Sequence, residues 1–236
     1  IVVGSGMTGG MAAKELTEKG LQVLMIERGR EVKHIEDYDT AMKGPWEFEH
    51  RGRVPIHSAE EYWANSRFGT LANEETGPFF TDDQKNPYIE KRPFDWIRAY
   101  HVGGRSILWG RQSYRLSDLD FEANAKDGIA VDWPVRYKDI APWYDYVERF
   151  IGVSGQKEGL SQLPDGQFLP PMELNCVEEK LKASMKKKFN RAMTIGRTAH
   201  LTTPIGNRGT CQSRNRCMRG CPYGAYFSSL ASTLPA

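Results

Sequence analysis

The 236-residue chain is expected to adopt an α/β fold, α+β overall, that opens on a strand–helix–strand unit. Three observations predict it. The chain begins with an apolar, β-prone run at residues 1–3, and a second such run follows at residues 21–27. Between them, residues 7–19 carry Met11, Ala12 and Leu16 among the helix formers Ala13, Lys14 and Glu15, and Gly20 stands where a helix C-terminal glycine falls. The turn that joins the first run to the helix is Gly4-Ser5-Gly6-Met7-Thr8-Gly9.

The later elements follow in order. Residues 29–91 are polar and irregular, with Pro45, Pro55, Pro78 and Pro87, and loops that long in a compact domain are usually functional. Residues 94–109 are expected to be extended, broken by Gly103-Gly104. In residues 137–150, Ile140, Trp143, Tyr144, Val147 and Phe150 fall at helical spacing and predict an amphipathic helix. Residues 152–171 are rich in Gly and Pro and read as a linker or surface excursion. A second helix is expected over 174–189, a strand over 193–201 and a cysteine-bearing loop over 211–221. Two domains are expected, residues 1–150 and residues 151–236. The run Lys182, Lys186, Lys187, Lys188 and Arg191 lies downstream of Glu173, Glu178 and Glu179. Acid at the start and base at the end suit a helix dipole, so this is read as a solvated face.

Composition sets limits. Hydrophobic residues make up 39% and charged residues 26%, a balance that allows a packed core. The 32 Lys and Arg against 30 Asp and Glu leave +2, whereas a general nucleic-acid binder is usually far more basic. Uninterrupted apolar stretches are short, as at Val23-Leu24-Met25-Ile26, and a spanning helix needs about 20 apolar residues. Neither nucleic acid binding nor a transmembrane helix is therefore expected. Few residues precede Gly4, although a mean strand runs about 5–6 residues, so the chain is expected to be a fragment of a longer protein.

The opening turn carries the chemistry. It fits G-x-G-x-x-G, and its place between a strand and a helix makes the match informative. Gly4 permits a tight turn, Gly6 lets backbone amides approach a pyrophosphate, and Gly9 lets the helix pack close to the strand. The helix N-terminus adds amide donors and partial positive charge. Glu27, 18 residues after Gly9, can accept hydrogen bonds from ribose hydroxyls, and its charge disfavours a 2′-phosphate. A dinucleotide, FAD or NAD, is the expected ligand.

With Val102-Gly103-Gly104-Arg105-Ser106-Ile107-Leu108-Trp109-Gly110 added to that fingerprint, the sequence resembles the glucose-methanol-choline (GMC) family of flavin oxidoreductases. Asp132-Trp133-Pro134-Val135, Pro142-Trp143-Tyr144-Asp145 and Ile151-Gly152-Val153-Ser154-Gly155 are similar to its sugar and glucoside dehydrogenase branch. The likeness departs from alcohol oxidases at Trp109, where they usually carry Asn. The resemblance implies a Rossmann-like FAD-binding domain, incomplete here, with part of an inserted substrate domain. It implies that Gly4, Gly6 and Gly9 hold the FAD pyrophosphate, that Glu27 binds the adenosine ribose, and that Gly103, Gly104, Ser106, Trp109 and Gly110 line the flavin. Gly103-Gly104 suits close approach of backbone to a flat ring, and Ser106 offers a hydroxyl. His101 is read as a structural hydrogen-bonding residue, with covalent flavin attachment as the alternative, and His200 is left open between such roles.

The implied activity is oxidation of an alcohol group of a sugar, glycoside or related polyol by hydride transfer to flavin N5. The implied partners are a small subunit and a cytochrome acceptor, and the implied location is periplasmic. The family's catalytic base, a histidine, would lie beyond Ala236, so the fragment alone is expected to be inactive. The alternatives are an FAD sugar oxidase with a structural disulfide, or a non-catalytic dinucleotide-binding module.

Cys176 stands apart, whereas Cys211, Cys217 and Cys221 form C-x5-C-x3-C ahead of Pro222. The spacing leaves an iron–sulfur cluster, disulfides, zinc and free thiols open. The resemblance implies that the trio ligates a [3Fe-4S] cluster. Arg214, Arg216 and Arg219 interleave the cysteines and are expected to offset thiolate charge.

Overall fold

The structure is a computed structural model and describes residues 1–68 and 72–235. It forms two compact units. The first comprises Ile1–Gly110, Ser213–Gly224 and the segment from Ser228 onward; the second comprises Arg111–Gln212 and Ala225–Phe227. The domain boundary expected near residue 150 falls inside the second unit.

In the first unit, β1 (Val2–Val3) and β2 (Met25–Ile26) pair in parallel, Val2 opposite Met25 and Val3 opposite Ile26. The Val2 amide donates to the Leu24 carbonyl at 2.8 Å and the Gly4 amide to the Ile26 carbonyl at 2.7 Å. Helix α1 (Met7–Glu18) connects them, and its expected glycine stop is realised: Gly20 has φ +81°, a left-handed conformation that favours residues without a Cβ. Lys14 is buried on α1 and meets the Glu18 carboxylate at 2.7 Å.

The stretch from 29 to 91 is not one irregular loop. It holds α2 (Ser58–Glu61), α3 (Trp63–Phe68) and 3-10 turns at Pro45–Glu47 and Gly77–Phe79. Val32, Tyr38, Phe79 and Phe80 from this stretch pack with Ile107, Leu108 and Leu230 in the core of the unit. Asp83 is buried; it pairs with Arg98 at 2.6 Å and accepts from the Ala64 amide at 3.0 Å. Tyr88, Trp96 and Tyr100 surround that guanidinium, with ring centroids 5.0, 5.1 and 5.4 Å from it. Leaving either charge of a buried pair alone is costly, so the pair fixes how this stretch folds back.

Residues 94–109 are not a strand. Gly103 and Gly104 have φ +83° and +50°, which turns the chain out of extended geometry into a 3-10 turn at Gly104–Ser106. Pairing survives only as a parallel bridge between Arg30 and His101.

The second unit contains α4 (Asp118–Phe121), α5 (Ala123–Asp127), α6 (Tyr137–Ile151) and α7 (Cys176–Phe189). The two long helices stand where periodicity predicts them. Asn175 caps α7, accepting from the Val177 and Glu178 amides at 2.9 and 3.0 Å. Arg115 gathers Glu148, Asp145 and Tyr137 of α6 around one buried guanidinium. Burial opposes its charge, but these partners outweigh burial and raise its pKa.

The 152–171 stretch begins as core rather than as a linker. Val153 and Ser154 are fully buried, and Ser154 bridges both Leu169 and Thr198. The strand expected over 193–201 reduces to bridges at Thr198 and His200, because its partners here are single residues. Buried Arg197 ties this part together by donating to the Pro164 carbonyl at 2.5 Å and pairing with Asp165 at 2.9 Å.

Candidate dinucleotide site

The glycine turn, Glu27 and the Gly103–Ser106 turn all belong to the first unit, and folding brings them together. Gly4 has φ +92°, the positive angle the tight turn requires. A Cβ on Gly9 would overlap the Gly4 carbonyl oxygen and come 3.4 Å from Val2 Cγ1, so Gly9 allows the helix to sit directly on the strand. A Cβ on Gly6 would meet nothing within 4 Å, which leaves space above the turn for a ligand. The Gly10 amide donates to the Gly6 carbonyl at 2.8 Å. The amides of Met7, Thr8 and Gly9 therefore precede the first intrahelical bond, where helix geometry provides no acceptor.

The flavin-side segment approaches the same turn. A Cβ on Gly104 would stand 3.5 Å from Gly6 Cα. A Cβ on Gly103 would meet Leu230 Cγ at 2.8 Å, so this glycine is also needed for packing. Ser106 is 1% exposed; its hydroxyl donates to the Gly103 carbonyl at 2.6 Å and accepts from the Ser229 amide at 2.9 Å. Ser106 thus holds the turn, and its proton is directed into the protein. Trp109 is half-buried, and Gly110 is exposed with open space where a Cβ would be.

Glu27 follows β2 and is half-buried. Burial alone would raise its pKa, but hydrogen bonds from the Ser5 amide and hydroxyl and from the Gly29 and Arg28 amides hold it below the ordinary carboxylate value. Two residues outside the glycine pattern hold this carboxylate. Ser5 donates to Glu27 Oε2 from its amide at 2.9 Å and from its hydroxyl at 2.7 Å. Gly29 donates to Glu27 Oε1 at 2.9 Å, and a Cβ on it would overlap the Tyr100–His101 backbone. The signal for Gly29 was its place just after the β2 run. Ser5 sits at a variable position of the fingerprint, so no pattern marks it.

Both histidines are packed. His101 is 2% exposed, with Nδ1 2.7 Å from the Val102 carbonyl; burial lowers its pKa, partly offset by that hydrogen bond. His200 belongs to the second unit, with its ring edge-on to Tyr226. Burial, then the nearby Arg111 charge, pushes it down to about 4.

The cysteines are all thiols, with no disulfide among the described residues. Cys211 lies in the second unit and Cys217 and Cys221 in the first. The interleaved arginines bind residues of the first unit. Arg214 donates to the Ala41 carbonyl at 2.5 Å, Arg216 to Met42 at 3.1 Å and Arg219 to Lys43 at 3.0 Å, and Arg219 also pairs with Glu75. They strap the Arg214–Arg219 segment to residues 41–43. Among the described residues, Glu49, His50 and Glu74 have ligand atoms within 4.8 Å of one another. There Glu74 accepts from the His50 and Gly52 amides, which accounts for its carboxylate without a metal.

These features define a dinucleotide-binding site, and residues 2–62 match the NAD(P)-binding Rossmann-like domain. Wider similarity follows. The chain is 28% identical over 236 residues to a paromamine 6'-oxidase of Streptomyces fradiae, covering 98% of this chain and 36% of the relative. It is 23% identical over 246 residues to the fructose dehydrogenase large subunit of Gluconobacter japonicus, covering 100% of this chain and 42% of that one. An oxygen-dependent choline dehydrogenase of Xanthomonas axonopodis pv. citri is 30% identical over 161 residues, 67% of this chain and 24% of the relative. These relatives are glucose-methanol-choline oxidoreductases, and the chain is similar to them. It spans well under half the length of each of these relatives. Among the described residues, no helix is long and apolar enough to cross a membrane.

Proposed function

We propose that the chain supplies the cofactor half of an FAD-dependent oxidoreductase that oxidises an alcohol group of a sugar, glycoside or related polyol. The observation that carries this reading is the approach of the Gly103–Gly104 turn to Gly6, beside the Glu27 carboxylate that Ser5 holds. A pyrophosphate fits the open space at Gly6 and the amides of Met7, Thr8 and Gly9. Glu27 would accept from the adenosine ribose. FAD, when bound, would supply hydride acceptance at N5, while the protein binds and orients it. The backbone at Gly103 and Gly104 would hold the flavin end, and Ser106 would keep that backbone in its turn.

The names of the relatives bear on substrate and acceptor. One is named for fructose and one for paromamine, which supports a sugar-like alcohol donor. A dehydrogenase large subunit among them supports a separate partner subunit for this protein, and we propose a cytochrome as its electron acceptor. We also propose that Cys211, Cys217 and Cys221 ligate a [3Fe-4S] cluster, a one-electron carrier suited to such an acceptor. Their thiol state suits the donor set, which ligates iron as deprotonated sulfur. The names of the paromamine oxidase and the oxygen-dependent choline dehydrogenase favour a second reading, in which oxygen is the acceptor.

Turnover by the full-length protein tests the function. Sugars, glycosides and choline should be offered with an artificial electron acceptor and, separately, with oxygen. Dye reduction by a sugar or glycoside without peroxide is expected. Peroxide formation would favour the oxidase, and no oxidation of any alcohol would reject the proposal.

A further inference from the structure

Ser5 lies where three parts of the cleft meet. It is 2% exposed. Its amide and hydroxyl both donate to Glu27 Oε2, at 2.9 and 2.7 Å, and the Gly103 amide donates to the same hydroxyl at 3.0 Å. The directions are forced: an ionised carboxylate only accepts and an amide N–H only donates. The hydroxyl proton therefore goes to Glu27, while its oxygen receives Gly103. Residues 22 and 98 positions away in sequence are thereby joined through one atom.

We propose that Ser5 is a positioning residue whose hydroxyl registers the ribose-binding carboxylate of Glu27 to the flavin-side backbone at Gly103, so that both ends of FAD meet a preformed cleft. This rests on the FAD reading above. Without the hydroxyl, the Glu27 carboxylate keeps the amides of Ser5 and Gly29. The Gly103 amide loses its acceptor in a buried place, a loss that is costly to leave uncompensated. The carboxylate should stay in the cleft, but its link to the flavin side should be lost. A ligand spanning both ends gains affinity from such preorganisation, whereas a ligand occupying one end does not.

The experiment uses the full-length apoprotein and measures dissociation constants for FAD and for ADP, which occupies the adenosine end alone. Ser5→Ala should weaken FAD about tenfold and ADP by no more than about twofold, while Ser5→Thr, which keeps the hydroxyl, should stay within about threefold of wild type. Glu27→Gln should cost several-fold less in the Ser5→Ala background than in wild type, the mark of coupled residues. Equal losses for FAD and ADP, additive effects, or unchanged FAD affinity would overturn the proposal. If Ser5→Ala does not fold, amide exchange at Gly103 decides: faster exchange in Glu27→Gln than in wild type is expected, and unchanged exchange contradicts it. Wild-type protein that binds no FAD would reject the cofactor reading, and the Gly103 exchange would still test the link.

Discussion

Gly9 and Gly6 perform different tasks although they share one motif. Gly9 faces the Gly4 carbonyl, so Gly9→Val should unfold the turn and lower the melting temperature of the apoprotein. Gly6 faces open space, so Gly6→Val should leave that melting temperature near wild type and abolish FAD binding by filling the pyrophosphate position. Thermal melts and flavin titration separate the two effects. Glu27→Ala should weaken FAD by about 1.5–3 kcal/mol, the worth of a hydrogen bond to a charged group. A pH effect belongs to His200. Its pKa falls from 6.5 to about 4 on folding, so its neutral form contributes stability fully present above pH 6.5. That contribution is lost as pH falls from 6.5 towards 4, and His200→Gln should flatten this part of a stability profile measured by denaturant titration. Single residues were legible in the sequence where chemistry is local. Gly4 and Gly9 were readable because the tight turn and the close helix packing dictate them, whereas Ser5 was not, because its partner Gly103 is 98 positions away.

Among the elements, helices α1, α6 and α7 follow from periodicity and caps, and they stand close to their expected bounds. Strands were less readable. The apolar run over 21–27 yields only Met25–Ile26, because a strand exists only as far as a neighbour pairs with it. The stretch over 94–109 has extended composition, yet its two positive-φ glycines turn it away. The irregular stretch over 29–91 and the expected linker over 152–171 both contribute core residues whose partners are remote. Two element-scale outcomes are expected. Asn175→Ala should cost about 1 kcal/mol of stability through loss of the α7 cap. Arg115→Ala should cost roughly 3–5 kcal/mol, because it strands the buried Glu148 carboxylate. Chemical denaturation of the variants measures both.

For the whole molecule, the division into units places the cofactor cleft within one unit and splits the cysteine trio. The arginines among those cysteines seemed from spacing alone to serve thiolate charge. Folding also engages them with carbonyls at 41–43, a role invisible to local sequence. If the trio holds a cluster, Cys211→Ser, Cys217→Ser and Cys221→Ser should each remove iron and acid-labile sulfide while leaving flavin reduction by substrate intact. Cys176→Ser, on the exposed start of α7, should remove neither. The central claim, that this cleft is built for FAD, is tested most directly by denaturing the purified full-length protein and identifying what it releases by chromatography. Stoichiometric FAD is expected; release of NAD, or of no flavin from protein reconstituted with excess FAD, would contradict it.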